Sequence, residues 1–225
     1  MPPKPDGPPY SFGLAAARDE MVETQLRRRG IDDETLLNAM RQVPREAFVP
    51  EGAEEFAYAD TPLRIDEGQT ISQPYMVAAM IAAAAISRGD RVLEVGGGSG
   101  YAAAVISRIA ERVYAIERHA SLAEAAARRL EKLGYSNVEI RHGDGAKGWP
   151  EYAPFNAILV AASATDVPSP LREQLAIGGR LIIPVERGTR FQVLRRIVRK
   201  KAADFEIDDL GSVKFVPLIT GEDGE

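Results

Sequence analysis

Cysteine is missing from all 225 residues. Its absence excludes disulfides, thiolate metal sites and a cysteine nucleophile. Histidine is scarce too, since His119 and His142 are the only two, and no clustered ligand spacing indicates a metal site. We therefore expect no metal site, and we expect both histidines at the surface or at strand ends.

The chain also lacks a long apolar run and an excess of positive charge. Its longest apolar run, residues 76–86, is far shorter than the roughly 20 residues that span a bilayer, and no secretory signal pattern opens the sequence. The net charge is −5, so no general attraction to nucleic acid is expected. The basic stretch 195–201 reads as a solvated face or a protected edge strand. We expect a cytoplasmic monomer with neither nucleic-acid nor membrane partners.

What is present is typical of a globular protein, with 45% hydrophobic and 27% charged residues. Residues 1–13 contain five prolines and are predicted to form a flexible arm. Residues 14–225 are long enough for one α/β domain. We divide that domain into an N-terminal helical cap (14–66), a cofactor-binding core (67–185) and C-terminal strands (186–225).

Strand and helix patterns alternate from residue 91 onward, which predicts a parallel sheet with helices on both faces. Strands are expected near 91–95, 112–117, 138–142, 156–162 and 179–185, and helices near 101–110, 120–133 and 168–177, the last closed by Gly178-Gly179. Residues 191–200 and 213–219 read as an antiparallel edge hairpin. Upstream, a helix is predicted at 14–29, and Asp32 or Asp33 is expected to cap a second helix. The fold class is α/β, Rossmann-like, with an antiparallel C-terminal edge and an N-terminal helical extension.

The segment RVLEVGGGSGY at 91–101 reads as strand, glycine turn and helix, an arrangement that places backbone N–H groups against a ligand. A dinucleotide fingerprint would need glycine at position 101, where Tyr101 stands. The spacing found, E-x-G-x-G-x-G from Glu94 to Gly100, resembles the first motif of S-adenosylmethionine-dependent methyltransferases. A dinucleotide site and an ordinary glycine-rich turn remain the alternatives.

Two more acidic residues follow the next two strands. Glu117 ends its strand, where a carboxylate suits the two hydroxyls of a ribose. Asp144 follows the third strand with Gly145 after it, and either accepts a hydrogen bond from an adenine amino group or simply makes a turn. Ligands bind at the carboxyl ends of strands in such sheets, so these residues are expected together.

The polar stretch EGQTISQPYM at 67–76 precedes a helix pattern. Taken by itself, it reads as a helix cap made by Thr70 or Ser72, with Pro74 in the first turn.

Six stretches together resemble the protein-L-isoaspartate O-methyltransferase family. They are GQTISQPYM (68–76), RVLEVGGGSGY (91–101), RVYAIER (112–118), GDGAKGWPE (143–151), GGRLIIPV (178–185) and VKFVPL (213–218). The resemblance covers roughly residues 21–220, and GQTISQP is its most specific part. Gly97 and Asp66 depart from the Thr and the Gly that are common in the family at these positions.

The resemblance implies a reaction and a set of site residues. S-adenosylmethionine would donate a methyl group to the free carboxylate of isoaspartyl residues in peptides and proteins, starting repair through a succinimide. Ser72 is the implied catalytic residue. The implied cofactor-binding residues are Thr70, Ile71, Ser72, Glu94, Gly96, Gly98, Ser99, Gly100, Glu117, Arg118, Asp144 and Gly145. A carboxylate needs no strong base, which agrees with the scarcity of histidine.

Three other functions remain open at this point. The first is a methyltransferase for a different carboxylate or small molecule. The second is a nucleic-acid N-methyltransferase, although its Asp/Asn-Pro-Pro-aromatic motif is not found after the fourth strand, where the chain reads AASATDVPSP (161–170). The third is a binding module that keeps the cofactor pocket without turnover.

Overall fold

The computed structural model describes residues 11–188 and 191–221. The strands are β1 Leu63–Arg64, β2 Thr70–Ile71, β3 Arg91–Val95, β4 Arg112–Glu117, β5 Val138–His142, β6 Phe155–Val160, β7 Leu175–Arg187, β8 Phe191–Lys201 and β9 Asp204–Val213. The helices are α1 Ser11–Met21, α2 Glu34–Gln42, α3 Pro74–Ala84, α4 Tyr101–Ser107, α5 Ala120–Lys132 and α6 Ser169–Glu173. A seven-stranded sheet has the order β5-β4-β3-β6-β7-β8-β9, and β1 and β2 form a separate short hairpin.

The parallel half of the sheet contains strands β5, β4, β3, β6 and β7. Its central strands are continuous apolar runs, as expected where helices cover both faces of a sheet. In β3, for example, Val92, Leu93 and Val95 are all buried. The predicted bounds of β3, β4 and β5 are confirmed at both ends.

The N-terminal helices are confirmed with small changes. α1 begins at Ser11 and continues through a π-helical turn (Val22–Leu26) and a 3-10 turn (Arg27–Arg29). Gly30 ends it with φ 87°, a left-handed conformation that glycine adopts without strain. Asp33, and not Asp32, caps α2, since its carboxylate accepts hydrogen bonds from the N–H groups of two residues in the first turn.

The prediction for residues 168–179 was wrong in its boundary. α6 ends at Glu173, and Gly178-Gly179 lie inside β7 instead of closing a helix. Gly178 has φ 79°, and the pairing of β6 with β7 shifts register between Phe155 and Ala157. The glycine allows an irregularity within the strand. In the sequence alone, such a glycine resembles one that ends a helix.

The predicted strand at 213–219 was also wrong. β8 pairs with β9, which ends at Val213, and residues 214–221 leave the sheet. β9 carries acidic side chains that face the basic stretch of β8, for example in the ion pairs Arg195–Asp209 (3.0 Å) and Arg196–Asp208 (2.9 Å). The basic stretch is therefore neutralised inside the sheet, and β9, not β8, is the edge strand.

Two apolar clusters cover the two faces of the sheet. One joins α2, α3 and α4 to the sheet, and the other contains α6 and Trp149, which is packed against Tyr114. In residues 11–188 and 191–221, no helix has both the length and the apolarity to cross a bilayer.

The predicted division of the chain remains a prediction. Of the proline-rich arm at 1–13, residues 1–10 lie outside the described residues, and the remainder belongs to α1. The proposed boundary at 66/67 falls between the paired strands β1 and β2, and the boundary at 185/186 falls inside β7. Both boundaries therefore separate residues that lie in one continuous structure.

Candidate active site

A cavity of about 810 Å³ opens at the carboxyl ends of the parallel strands. Its wall includes four segments: residues 69–73, the glycine turn 96–99, residues 116–119 and residues 212–219. This volume suits a ligand of nucleoside size, and the position is the one where open α/β sheets bind ligands.

The glycine turn after β3 presents bare backbone to the cavity. Gly96 and Gly98 have φ of 89° and 50°, a region that other residues rarely adopt. The N–H groups of Gly96 and Gly97 donate to the Ile116 carbonyl at 2.8 and 3.1 Å. The turn is therefore fixed to the end of β4, next to Glu117.

Glu117 is the most firmly held carboxylate of the site. Its Oε2 accepts a hydrogen bond from the Gly98 N–H at 2.7 Å, and its Oε1 accepts one from the His119 N–H at 3.0 Å. The side chain is buried and on the cavity wall. Each carboxylate oxygen has a second lone pair, so Glu117 can also accept hydrogen bonds from two ribose hydroxyls.

Glu94 has a different environment from Glu117. It is 3% exposed, and its Oε2 is buried without a hydrogen-bond partner on the cavity wall. Burial and, to a smaller extent, repulsion from Glu117 raise the pKa of Glu94 to about 8, while the Ala103 N–H acts in the opposite direction. Without a ligand, Glu94 is therefore mostly neutral at pH 7, and a cationic group in the cavity would favour its ionised form.

Ten of the twelve predicted cofactor-binding residues line this cavity, namely Thr70, Ile71, Ser72, Glu94, Gly96, Gly98, Ser99, Glu117, Arg118 and Gly145. Gly145 lets the chain pass close to β3, since an added Cβ would lie 2.3 Å from Val95 Cγ1. The two predicted residues outside the cavity wall are Gly100 and Asp144.

Gly100 and Asp144 have structural partners of their own. Gly100 has φ 87°, and a Cβ there would lie 3.2 Å from Leu130 Cδ1, so it allows α5 to pack closely on the turn. Asp144 accepts hydrogen bonds from the Ala146 N–H at 2.9 Å and the Gly221 N–H at 3.0 Å. It thus joins the end of β5 to the C-terminal segment, which we define as residues 214–221.

Ser72 lies on the cavity wall just before α3, and a buried arginine holds its backbone. Arg45 Nη2 donates to the Ser72 carbonyl at 2.8 Å, and Arg45 Nε donates to the Ala57 carbonyl at 2.7 Å. The guanidinium also lies 4.7 Å from the centre of the Tyr101 ring, at the start of α4. Arg45 was not among the predicted site residues, because its contacts with Ala57 and Ser72 join positions 12 and 27 residues apart.

A loop before Ser72 is attached to the start of α5. Glu67, with φ 56°, accepts a hydrogen bond from the Ser121 hydroxyl at 2.6 Å, and Gln69 Nε2 lies 3.4 Å from His119 Nε2. His142 is exposed at the end of β5, as expected, but His119 lines the cavity. His119 follows the end of β4 by two residues, which fits the predicted strand-end position, but its place on the cavity wall was not predicted.

The C-terminal segment, most of which was predicted as an edge strand, also borders the cavity. The side-chain amide of Gln192 pairs with the backbone of Phe215, accepting from its N–H at 2.6 Å and donating to its carbonyl at 3.1 Å. Ser163, after β6, donates its N–H to the Val216 carbonyl at 2.8 Å and accepts from the Leu218 N–H at 2.7 Å. Two fixed points therefore hold this segment along the cavity.

The chemistry of the wall suits an organic ligand with hydroxyl and cationic groups. Within the described ranges, no group of three or more His, Cys, Asp or Glu side chains is arranged to hold a metal ion. The orphaned oxygen of Glu94, the spare lone pairs of Glu117 and the close backbone approach at Gly145 together fit S-adenosylmethionine, which carries an amino group, a ribose and an adenine.

Comparison with known proteins gives the same assignment. The family model described as protein-L-isoaspartate (D-aspartate) O-methyltransferase matches residues 16–223. A protein-L-isoaspartate O-methyltransferase of Brucella anthropi is 57% identical over 203 residues, covering 90% of this chain and 93% of the relative. One named protein-L-isoaspartate O-methyltransferase 2, from Pelobacter propionicus, is 56% identical over 205 residues and covers 91% of both chains.

Solved structures agree with the sequence relatives. A Plasmodium falciparum structure, described as a protein-L-isoaspartate O-methyltransferase in complex with S-adenosyl-L-homocysteine, is 32% identical, with a TM-score of 0.79 over 90% of this chain and 98% of that one. Another structure with the same enzyme name is 31% identical, with a TM-score of 0.83 over 92% of this chain and 67% of that one. The chain belongs to the protein-L-isoaspartate (D-aspartate) O-methyltransferase family.

Proposed function

We propose that this chain transfers a methyl group from S-adenosylmethionine to the free carboxylate of isoaspartyl residues in proteins and so begins their repair through a succinimide. One observation carries the proposal. The loop that holds Ser72, part of the family's specific GQTISQP stretch, lines the same cavity as the glycine turn and Glu117. The residues proposed to bind the cofactor and the residue proposed to contact the substrate therefore line one cavity.

We propose a role for each part of the cofactor-binding wall. Glu117 would bind the ribose hydroxyls, and Glu94 would bind the amino group of the methionine part. Gly96, Gly98 and Ser99 would surround that part with backbone, while Asp144 and Gly145 would lie at the adenine. Thr70, Ile71 and Arg118 would complete the wall. When bound, S-adenosylmethionine would supply a methyl group activated by its positively charged sulfur for transfer to a carboxylate oxygen, and the neutral thioether of S-adenosyl-L-homocysteine would keep the electron pair of the broken carbon–sulfur bond.

The protein then has mainly to position the carboxylate. A carboxylate is already ionised at neutral pH and needs no general base, so alignment at the reacting carbon is the larger contribution. Ser72 is the residue proposed to act on the substrate, because its hydroxyl can orient the carboxylate by a hydrogen bond. The Arg45–Ser72 hydrogen bond fixes the backbone from which that hydroxyl extends.

The assay that tests this function uses two peptides that differ only in one isoaspartyl or aspartyl linkage. We expect methyl transfer from labelled S-adenosylmethionine to isoaspartyl peptides of varied sequence and almost none to the aspartyl forms. A shift of one methylene in a plain pocket gives only about 10- to 200-fold discrimination, so stronger selection requires fixed polar groups that the wrong isomer leaves unpaired. Equal rates on both isomers would contradict the repair function.

The last part of the proposal concerns the location, oligomeric state, domain organisation and partners of the protein. We propose that it acts as a cytoplasmic monomer, that residues 14–225 form one domain, and that it binds neither nucleic acid nor membranes. The net charge of −5 and the ion pairs between β8 and β9 support the view on nucleic acid. Sedimentation at several concentrations tests the monomer, and a stable dimer would contradict it.

A further inference from the structure

The C-terminal segment leaves the sheet at one place. Val213 is the last residue of β9 and pairs with Gln192 of β8. The chain then passes Ser163, which follows β6, and reaches Asp144, which follows β5. In the sheet order these strands are far apart, so the segment crosses above the carboxyl ends of the strands and forms one wall of the cavity.

Where β9 ends, the side-chain amide of Gln192 pairs with the backbone of Phe215 as a neighbouring strand would. Its amide makes both of the hydrogen bonds that a strand would make to Phe215, and its Nε2 also lies 3.0 Å from the Ser163 hydroxyl. Ser163 is 2% exposed and binds the next residues of the segment through its backbone. The side chain of Gln192 therefore connects the two fixed points that set the position of this wall.

This wall lies outside the part of the cavity that we assign to the nucleotide. The glycine turn and Glu117 form the nucleotide side of the cavity, whereas residues 69–73 and 212–219 contribute the remaining long stretches of its wall. A protein substrate is too large to enter the cavity whole, so only its isoaspartyl unit is placed inside. The width between the Ser72 loop and the C-terminal segment then limits which linkage places its carboxylate correctly.

We propose that Gln192 is a positioning residue for substrate selection, because it holds the C-terminal segment at the distance from Ser72 that an isoaspartyl linkage requires. The inference rests on the proposed function and adds a residue outside the expected site. Gln192 acts through Phe215 and Ser163.

The test is the peptide KM and the isoaspartyl-to-aspartyl ratio of kcat/KM in Gln192→Met, which keeps the side-chain length but loses both amide hydrogen bonds. We expect the peptide KM to rise and the ratio to fall by about tenfold, the scale of one lost polar pair. The affinity for S-adenosyl-L-homocysteine should change by less than about twofold, because the nucleotide side is untouched.

Gln174 offers a matched control. Its amide makes the same kind of pair, accepting from the Trp149 N–H at 2.7 Å and donating to the Lys147 carbonyl at 2.9 Å, away from the C-terminal segment. Gln174→Met should lower the melting temperature, as any lost buried pair does, without changing the isoaspartyl-to-aspartyl ratio. An equal loss of selectivity in Gln174→Met would overturn the assignment of a specific role to Gln192.

Gln192→Glu provides a second variant if the Met variant is unstable. Its carboxyl, with an ordinary pKa of about 4.3, is ionised at neutral pH and cannot donate a hydrogen bond to the Phe215 carbonyl. The peptide KM should therefore rise and the isoaspartyl-to-aspartyl ratio should fall, as in Gln192→Met. A KM and a selectivity equal to those of the unsubstituted protein would overturn the inference.

Failure of the inference and failure of the proposed function give different results. If the unsubstituted protein methylates isoaspartyl peptides and Gln192→Met retains its KM and selectivity, only the inference is wrong. If the unsubstituted protein methylates neither peptide, the proposed function is wrong and the inference is rejected with it.

Discussion

At the scale of single residues, Glu94 and Glu117 show how two neighbouring carboxylates come to differ. Glu117 accepts two backbone hydrogen bonds, whereas Glu94 keeps one buried oxygen without a partner. Burial and, to a smaller extent, repulsion from Glu117 raise the pKa of Glu94 to about 8. The neutral form of Glu94 is favoured in the folded chain, so its contribution to stability is complete below the ordinary value of 4.5 and is lost as the pH rises through about 8.

This pKa gives a prediction for cofactor binding. If the ammonium group of the cofactor binds Glu94, binding should release protons at pH 7, and affinity should increase as the pH rises towards about 8. Calorimetric titration with S-adenosyl-L-homocysteine in buffers of different ionisation enthalpy measures the released proton. Glu94→Gln should abolish the release, and the control Glu124→Gln, an exposed site on α5, should retain it. Binding without any proton release by the unsubstituted protein would contradict this role.

The second prediction at this scale concerns Ser72. Ser72→Ala should lower kcat on isoaspartyl peptides by about tenfold to a thousandfold while cofactor affinity stays nearly constant, because the hydroxyl is expected to act on the substrate during transfer. Single-turnover rates and calorimetry separate the two effects. Glu67→Gln, on the same loop but outside the cavity wall, serves as the comparison for a general disturbance. Full activity of Ser72→Ala would leave Ser72 with no role beyond ending the loop before α3.

At the scale of elements, the Ser72 loop depends on Arg45, a side chain from the N-terminal cap. Arg45 is completely buried, and burial lowers its pKa. Its partners are the two backbone carbonyls of Ala57 and Ser72, and Nη1 is buried without a partner. A cation in such surroundings contributes through its hydrogen bonds and its contact with the Tyr101 ring.

We therefore predict that Arg45→Met lowers the free energy of unfolding by about 2–4 kcal/mol, since two buried carbonyls lose a donor at about 1–3 kcal/mol each and removal of the buried charge offsets part of the loss. Denaturant unfolding measures this change. Arg112→Met, at a more exposed arginine that bonds Ser136 and Glu139, should cost about 0–1 kcal/mol. Equal effects of the two substitutions would show that the buried hydrogen bonds of Arg45 contribute nothing special.

The elements also show what the sequence can predict. Strands β3 and β4 were predicted at both ends because each is a short, mainly apolar run next to charged or glycine residues, and β5 was predicted because apolar and polar residues alternate in VEIRH before Gly143. β9 was missed because its acidic side chains hide the strand pattern, and their basic partners lie on β8. The helix before β7 was made too long because a glycine inside a strand is not distinguishable from a helix end in the sequence alone.

At the scale of the whole molecule, the site residues that could be predicted were those whose place follows from a nearby strand in the sequence. The glycine turn, Glu117 and Gly145 each follow a strand, so their common location at the carboxyl edge could be expected before the structure. Arg45, His119 and Gln192 could not be assigned in this way. Their contacts join residues distant along the chain, as in the pair Gln192–Phe215 and the pair Arg45–Ser72.

The reach of Arg45 has a consequence for the smallest active form of this enzyme. A fragment that began at residue 67 would retain the glycine turn, Glu117 and every parallel strand, and it would therefore retain the groups proposed to bind the nucleotide. It would lack the guanidinium that holds Ser72 and the Ala57 carbonyl that anchors this guanidinium. Cofactor binding and methyl transfer would then separate on truncation, because the part of the chain that resembles an appendage supplies the support for the reacting side of the cavity.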